Sequence, residues 1–594
     1  MLRRAGGAGF RATSGLLSAS RWPMGAPRCL ATGGGGKQKP FDKILIANRG
    51  EIACRVMRTC KRLGVKTVAV YSEADAAGMH VRMADEAYCI GTAASSESYL
   101  KMDRILAVAK KTGAQAIHPG YGFLSENAKF VDMVEAAGIV FIGPSSKPMN
   151  LMGDKINSKK IAKAANCFII PGFEGEVEDE AHCVKLANDV GYPVMIKASA
   201  GGGGKGMRVA YNDAEVREGF RMSKAEARSS FGDDRMLIER FIEDPHHIEI
   251  QVIADSFGNV AAFPERECSV QRRNQKVVEE SPSCLLTPET RRSMQQQAIA
   301  LCKATGYRSA GTVEMLADNK QNFYFLEMNT RLQVEHPITE LVSGEDLVEH
   351  MLWIAAGKPL PERMIKEPHL PFSGWAIESR VYAEDPLRKF LPSIGPLITY
   401  KEPETFVTPA STVRIDTGVF EGGVISMYYD PMIAKLCTYA PTRAGAISAM
   451  ERALDQYVVR GLGNNLCFLR SVMRNERLVW ATFRCCAFLL SCSQFSLTVP
   501  RPLSLTFTIH PPTLPPTTAS ARETTRPNLS PPSTRPALQA CSSRRVRRWS
   551  SSPRPWPSTM PASRQPRAGA TLRPTRLARP LRHAPLCRAA TRWW

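Results

Sequence analysis

Tyr192-Pro-Val-Met-Ile-Lys197, followed shortly by Ala200-Gly-Gly-Gly-Gly-Lys-Gly-Met207, decides how the rest of this chain is read. The first run has the apolar content and length of a buried strand. The four glycines behind it leave successive backbone N–H groups unshielded, so the loop can close over anionic oxygens. It is not a Walker loop, because Lys205 is followed by Gly206 and not by Ser or Thr. Lys197 before the run and Lys205 inside it add positive charge. Gly201, Gly202, Gly203, Gly204, Lys205 and Gly206 are therefore expected to bind phosphate.

Downstream, Glu327-Met-Asn-Thr-Arg-Leu-Gln-Val-Glu335 places Glu327, Asn329, Arg331, Gln333 and Glu335 two residues apart. On an extended backbone all five would share one face. A face of two carboxylates, two amides and a guanidinium is costly to bury, so it reads as a site and not as a core. Carboxylate and amide oxygens suit Mg²⁺, and Glu314, in Gly311-Thr-Val-Glu-Met-Leu316, is placed to join them from a neighbouring strand. The block Glu267-Cys-Ser-Val-Gln-Arg-Arg-Asn-Gln-Lys-Val-Val-Glu-Glu280 fits either a small-anion site or a charged surface loop. Arg380, in Ser379-Arg-Val-Tyr-Ala-Glu384, carries no signal by itself.

Upstream, strand patterns at Lys43–Ala47, Val65–Tyr71, Gln115–His118 and Ile139–Ile142 alternate with helical patterns at Glu51–Leu63 and Asn127–Ala137. That alternation predicts a doubly wound parallel sheet. Asn48-Arg-Gly50 reads as a plain strand-to-helix turn. The G-x-G-x-x-G fingerprint is absent, so dinucleotide binding is unsupported. Three folded segments are expected, at 41–153, 154–356 and 371–479. Further strands are expected at Met236–Phe241, His247–Ala254 and Phe323–Met328.

The net charge of +22 sits at the ends. Residues 1–40 carry seven Lys and Arg and no acid, and residues 481–594 carry 18 Arg with Glu523 as their one acid, so the middle is near neutral. No basic folded surface remains to support a nucleic-acid partner. Residues 1–36, Arg-rich and acid-free, read as a mitochondrial transit peptide, which places the chain in the matrix. Val479–Val499 is apolar but is broken by Arg484 and closed by Pro500, so no membrane span is expected. The 16 cysteines, without a secretory signal, read as reduced thiols. Residues 481–594 read as a disordered tail, intron-derived and then frameshifted. One base out of frame, Arg522–Leu538 is compatible with Gly-Asp-Tyr-Thr-Thr-Lys-Phe followed by Tyr-Pro-x-Gly-Phe.

With His118-Pro-Gly-Tyr-Gly-Phe-Leu-Ser-Glu-Asn127, the glycine loop, the Glu267–Glu280 block and Glu327–Pro337 in view, residues 41–479 resemble the biotin carboxylase component of biotin-dependent acyl-CoA carboxylases. Asn274, where many members have His, together with Pro171-Gly-Phe173 and Phe231-Gly-Asp-Asp-Arg235, is similar to the propionyl-CoA branch, as is the out-of-frame reading. The methylcrotonyl-CoA branch is the alternative, and a truncated, non-catalytic ATP-binding product is another. The resemblance implies an α/β architecture: a doubly wound N-terminal domain, an ATP-grasp domain with a mobile glycine-rich lid, and an α+β C-terminal domain.

The same resemblance implies roles. Lys155 and Lys197 contact ATP phosphates, Glu239 lies at the adenine and His247 near the ribose, with Gln271 and Asn274 also on ATP. Glu314, Glu327 and Asn329 hold Mg²⁺ or Mn²⁺. Lys276, Arg331, Gln333 and Val334 frame bicarbonate. Glu335 is the general base on the way to carboxyphosphate, and Arg380 stabilises the biotin enolate. The family's Ala-Met-Lys-Met is not found, and Leu100-Lys-Met-Asp103 is a helical decoy. Carboxylation is therefore expected on free biotin or on a biotinylated carrier domain of another chain. A homo-oligomer is expected, while docking to a carboxyltransferase beta subunit is in doubt.

Overall fold

The computed structural model describes residues 38–200, 206–408 and 411–479. The expected transit peptide at 1–36, Gly201–Lys205 of the lid, and the tail at 481–594 lie outside the described residues.

The N-terminal sheet is β1 (Lys43–Ile46), β2 (Lys66–Ser72), β3 (Glu86–Gly91), β4 (Ala116–His118) and β5 (Val140–Phe141). All five strands are parallel, in the order β3-β2-β1-β4-β5. Four of them match expected strands. The fifth, β3, went unseen because Glu-Ala-Tyr-Cys-Ile-Gly is a half-exposed edge with no apolar run. Helix Gly50–Leu63 lays Ile52, Ala53, Val56 and Cys60 against the sheet. Gly50 takes φ +63° at the turn from β1, and Gly418 packs onto it so closely that a Cβ there would lie 2.4 Å from Glu51 N. The helix N-terminus that would face a dinucleotide phosphate in a Rossmann fold is thus covered by the chain's own backbone.

A small lobe follows. Its antiparallel strands β6 (Val194–Ala198), β7 (Met207–Ala210) and β8 (Met236–Arg240) run in the order β7-β6-β8. Helices Glu180–Val190 and Asp213–Phe231 flank them, and Val177, Ala187, Val194, Ile196, Phe220 and Ile238 belong to a core of their own. The glycine loop joins β6 to β7.

A ten-stranded sheet forms the body of the remainder. Its first strands are β9 (His246–Ala254), β10 (Val260–Ala262), β11 (Arg266–Arg272), β12 (Gln275–Ser281), β13 (Ser309–Ala317) and β14 (Phe323–Asn329). It does not end where segment 154–356 was expected to end. Strand β12 pairs antiparallel with β15 (Trp375–Tyr382), which continues to strands Met432–Ala440, Thr412–Thr417 and Phe406–Val407. The Glu267–Glu280 block is therefore a hairpin in the middle of a sheet, not a surface loop.

Charged groups join the N-terminal domain to this body. Arg55 bonds Glu340 (2.8 Å) and Asp346 (2.9 Å), Arg62 bonds Glu349 (2.7 Å), and Arg58 reaches Asp416 (3.0 Å). Arg55 and its partner Glu340 are buried. Glu340 lies on helix His336–Ser343, which begins directly after Glu335, so these pairs also fix a site residue. Among the described residues, no helix is long and apolar enough to cross a membrane.

Candidate active site

Strands β13 and β14 set Glu314 directly opposite Glu327. The extended run expected through Glu335 stops at Asn329. Beyond it the chain turns, Glu335 becomes the N-cap of helix His336–Ser343, and Pro337 occupies the helix's first turn. Arg331, Gln333 and Glu335 leave the strand yet converge on the same place through hydrogen bonds. Gln333 Nε2 and Asn329 Nδ2 each donate to Glu314 Oε1 at 2.8 Å. Arg331 bonds Glu126 Oε2 at 2.8 Å and Asn329 Oδ1 at 3.1 Å. The carbonyl of Val334 accepts from buried Lys435 at 2.9 Å.

Lys276, on β12, is the hub. Its ammonium bonds Glu249, Glu314 Oε1 (3.1 Å) and Glu335 Oε1 (3.0 Å). Burial works against that charge, but the three carboxylates hold it well above the usual lysine range. Glu335 has its other oxygen 2.9 Å from Arg380, and Arg380 Nε lies 2.6 Å from Glu279. Burial and the nearby Glu249 push the Glu335 carboxyl up. Lys276, Arg380 and Arg266 more than offset this and hold it below the usual carboxylate range. It is therefore ionised at neutral pH, as a base must be. His247 Nε2 lies 3.1 Å from Glu314 and 3.4 Å from Glu249; burial opposes its charge, but these carboxylates raise its pKa to about 9.

Sequence reasoning passed over three residues here. Arg266 is fully buried and bonds Glu249 (3.0 Å), Gln251 (2.8 Å), Thr339 (2.9 Å), Thr312 (3.2 Å) and Gln333 (2.7 Å). One arginine in a charged stretch gave no pattern. Glu249 was visible in principle: His247, Glu249 and Gln251 alternate with Ile248, Ile250 and Val252 along β9, which marks a polar strand face. The third is Lys159. Where the small lobe meets helix Lys155–Ala164, Lys197 on β6 and Lys159 both bond the buried carboxylate of Glu239 on β8. Lys159 stands one turn after Lys155, and that i,i+4 spacing was its signal. Burial opposes the Glu239 charge, but the two lysines hold its carboxyl below the usual range. Lys155 Nζ is 4.0 Å from Glu327.

Gln271 donates to the Cys268 carbonyl at 2.8 Å. Asn274 is exposed at the tip of the β11–β12 hairpin. Arg273 and Asn274 have φ +50° and +65° there, the pair of positive values that a two-residue hairpin turn requires and Asn tolerates.

The donor set at Glu314, Glu327 and Asn329 fits a divalent cation. Burial and the opposing charge of Glu314 push the Glu327 carboxyl up, and a hard cation accepting both carboxylates relieves that repulsion. The groups His247, Glu249, Glu314 and Glu249, Cys268, Glu335 also bring ligand atoms together, but Lys276 already supplies their cation.

Three family models match the chain: Biotin carboxylase, N-terminal domain, over residues 40–149; Carbamoyl-phosphate synthase L chain, ATP binding domain, over 154–363; and Biotin carboxylase C-terminal domain, over 378–487. The fold is that of an ATP-grasp protein framed by biotin carboxylase end domains. A Hydrogenobacter thermophilus 2-oxoglutarate carboxylase biotin carboxylase domain dimer, solved with MgADP, ADP and bicarbonate, superposes with a TM-score of 0.71 at 45% identity, over 75% of this chain and 96% of that one. The chain belongs to the biotin carboxylase family. It is 59% identical over 438 residues to the mitochondrial propionyl-CoA carboxylase alpha chain of Caenorhabditis elegans, covering 74% of this chain and 60% of that one. The rat mitochondrial methylcrotonoyl-CoA carboxylase subunit alpha is 50% identical over 429 residues, covering 72% of this chain and 59% of that one. The chain thus spans about 60% of the length of these two relatives.

Proposed function

We propose that this chain carboxylates biotin with ATP and bicarbonate, the first half-reaction of propionyl-CoA carboxylase. The observation that carries the reading is Glu335, a buried carboxyl held between Lys276 at 3.0 Å and Arg380 at 2.9 Å. Glu335 removes the bicarbonate proton, while Lys276, Arg331, Gln333 and the Val334 backbone orient the anion. Its oxygen then attacks the ATP γ-phosphorus, giving carboxyphosphate and ADP. Carboxyphosphate releases CO₂ and phosphate, and the phosphate takes the ureido proton of biotin so that nitrogen can bond to CO₂. Arg380 balances the resulting enolate charge.

Lys155 and Lys197 bind the transferring phosphates, and Glu239, His247, Gln271 and Asn274 line the nucleotide. Glu314, Glu327 and Asn329 hold Mg²⁺ or Mn²⁺, which would neutralise phosphate charge when bound. The glycine-rich run 201–206 would bind the phosphates through its backbone N–H groups.

Propionyl-CoA is preferred to methylcrotonyl-CoA as the eventual acceptor because 59% identity exceeds 50%. The biotin is free or carried on a protein domain, and the subunits pair with one another. Residues 1–36 direct the chain to the mitochondrial matrix.

The test is ATP hydrolysis by the full chain with and without bicarbonate and free biotin. Bicarbonate-dependent, biotin-stimulated turnover is expected, with Glu335→Gln lowering it about 10²–10⁴-fold. Hydrolysis indifferent to bicarbonate, or undiminished in Glu335→Gln, would overturn the reading.

A further inference from the structure

Behind Arg380 lies a second pair of acids that the reaction as derived does not use. Glu279 on β12 and Glu378 on β15 are directly paired across the antiparallel ladder, and both are fully buried. Side chains at such positions share a face and lie close together. Each carboxyl is half satisfied. Glu279 Oε1 accepts from Arg380 Nε at 2.6 Å, and Glu378 Oε2 accepts from the Cys437 thiol at 3.4 Å. Glu279 Oε2 and Glu378 Oε1 have no hydrogen-bond partner among the described residues. Two facing buried carboxylates cannot both ionise cheaply, and one shared proton would satisfy both orphaned oxygens.

The charges around the pair decide which acid keeps the proton. Glu279 faces the Arg380 guanidinium directly, with Lys276 and Glu335 further off. Glu378 has a neutral thiol as its bonded neighbour. The nearby Lys435 is committed to the Val334 carbonyl at 2.9 Å and to Glu51 at 3.2 Å. Helix His336–Ser343, packed on β15, brings His336 and Glu340, and Glu340 is tied to Arg55 and Arg414. Helices Arg443–Gln456 and Leu466–Met473 also pack on β15; there Arg443 pairs with Glu280 and Arg470 with Asp455.

We propose that Glu279 and Glu378 form a carboxylate–carboxylic acid pair that positions Arg380, with Glu378 as the protonated member. The Glu378 carboxylic acid donates a hydrogen bond to the Glu279 carboxylate, Glu279 fixes the Arg380 guanidinium, and Arg380 meets Glu335 and, on the function proposed above, biotin. Burial and the Glu279 charge raise the Glu378 carboxyl well above its usual range, in agreement. Burial also raises Glu279, to about 7, against the pull of Arg380. Both are positioning residues, since neither touches substrate.

Difference infrared spectroscopy of the full chain at neutral pH tests the proton without any turnover. Wild type minus Glu378→Gln should show the carbonyl stretch of one protonated carboxylic acid. A carboxylate band in its place would overturn the proposal. If Glu378→Gln does not fold, Cys437→Ala serves: loss of the thiol bond should shift the same acid band, and an unmoved band is contrary. Steady-state kinetics tests the positioning. Glu279→Gln should lower kcat/KM for biotin about 10–100-fold with KM for ATP unmoved. Glu378→Gln keeps a neutral donor and should cost less than about threefold. An equal loss in both variants would mean that Glu378 acts as an anion, against the proposal. The kinetic role rests on the proposed function; the infrared result does not, so a silent wild type would refute that function alone.

Discussion

At the end of the site proposed for the nucleotide two lysines, Lys159 and Lys197, share one buried carboxylate, Glu239; at the other end three carboxylates, Glu249, Glu314 and Glu335, surround one lysine, Lys276. The first arrangement keeps positive charge in excess, and its lysine on β6 stands just before the glycine loop. It suits phosphate anions that have yet to arrive. The second is closed on itself, because Arg266, Arg380 and His247 complete the neutralisation. Its donors and acceptors are already aimed, so little reorganisation is left for the reaction. The contrast separates a region built to receive charge from one built to hold geometry, and each kind of region fails differently when altered.

The closed end should show the largest effect on stability. Arg266→Met leaves Glu249, Gln251, Thr312 and Gln333 without their common donor and should cost about 3–5 kcal/mol in urea unfolding. A loss near zero would mean that the network is not closed in the way described.

A somewhat smaller effect should come with alkali. The His247 pKa lies above its unfolded value of about 6.5, so its contribution is complete below that pH and is lost as pH rises through about 9. In the metal-free chain, wild type should lose up to about 3 kcal/mol across this window relative to His247→Gln. Parallel pH profiles for the two proteins would remove His247 from the network.

The smallest effect belongs to the nucleotide end. Lys159→Gln leaves Glu239 paired with Lys197, so stability should change by about 1 kcal/mol or less. Affinity for ATP, by isothermal titration, should fall as one of the excess charges is removed. A large stability loss with unchanged affinity would make Lys159 structural and erase the contrast.

The sequence was legible where chemistry imposes spacing. Glu314, Glu327 and Asn329 stood out because carboxylates and an amide at strand period make an implausible core, and the register of β13 on β14 places the two glutamates face to face. The alternation of strands and helices over 41–153 likewise marked the parallel sheet. What stayed hidden depends on distant pairing. Arg266 takes its meaning from five partners on other segments, and nothing local distinguishes it from Arg272 or Arg273. The continuity of the sheet from β12 to β15 is a contact between residues a hundred positions apart, which periodicity does not report. The run from Glu327 to Glu335 reads as straight although His336-Pro337 offers a helix start, so residues that the fold does bring together are grouped for a wrong local reason.

The most direct test of the account is to give the full chain labelled bicarbonate, MgATP and free biotin and to count labelled carboxyl groups on biotin against ADP formed. The account predicts acid-labile label on biotin, dependent on ATP, in step with ADP at early times, and absent in Glu335→Gln. ADP without label on biotin would contradict it: the nucleotide end would then be working alone, and the closed carboxylate end would be architecture without chemistry.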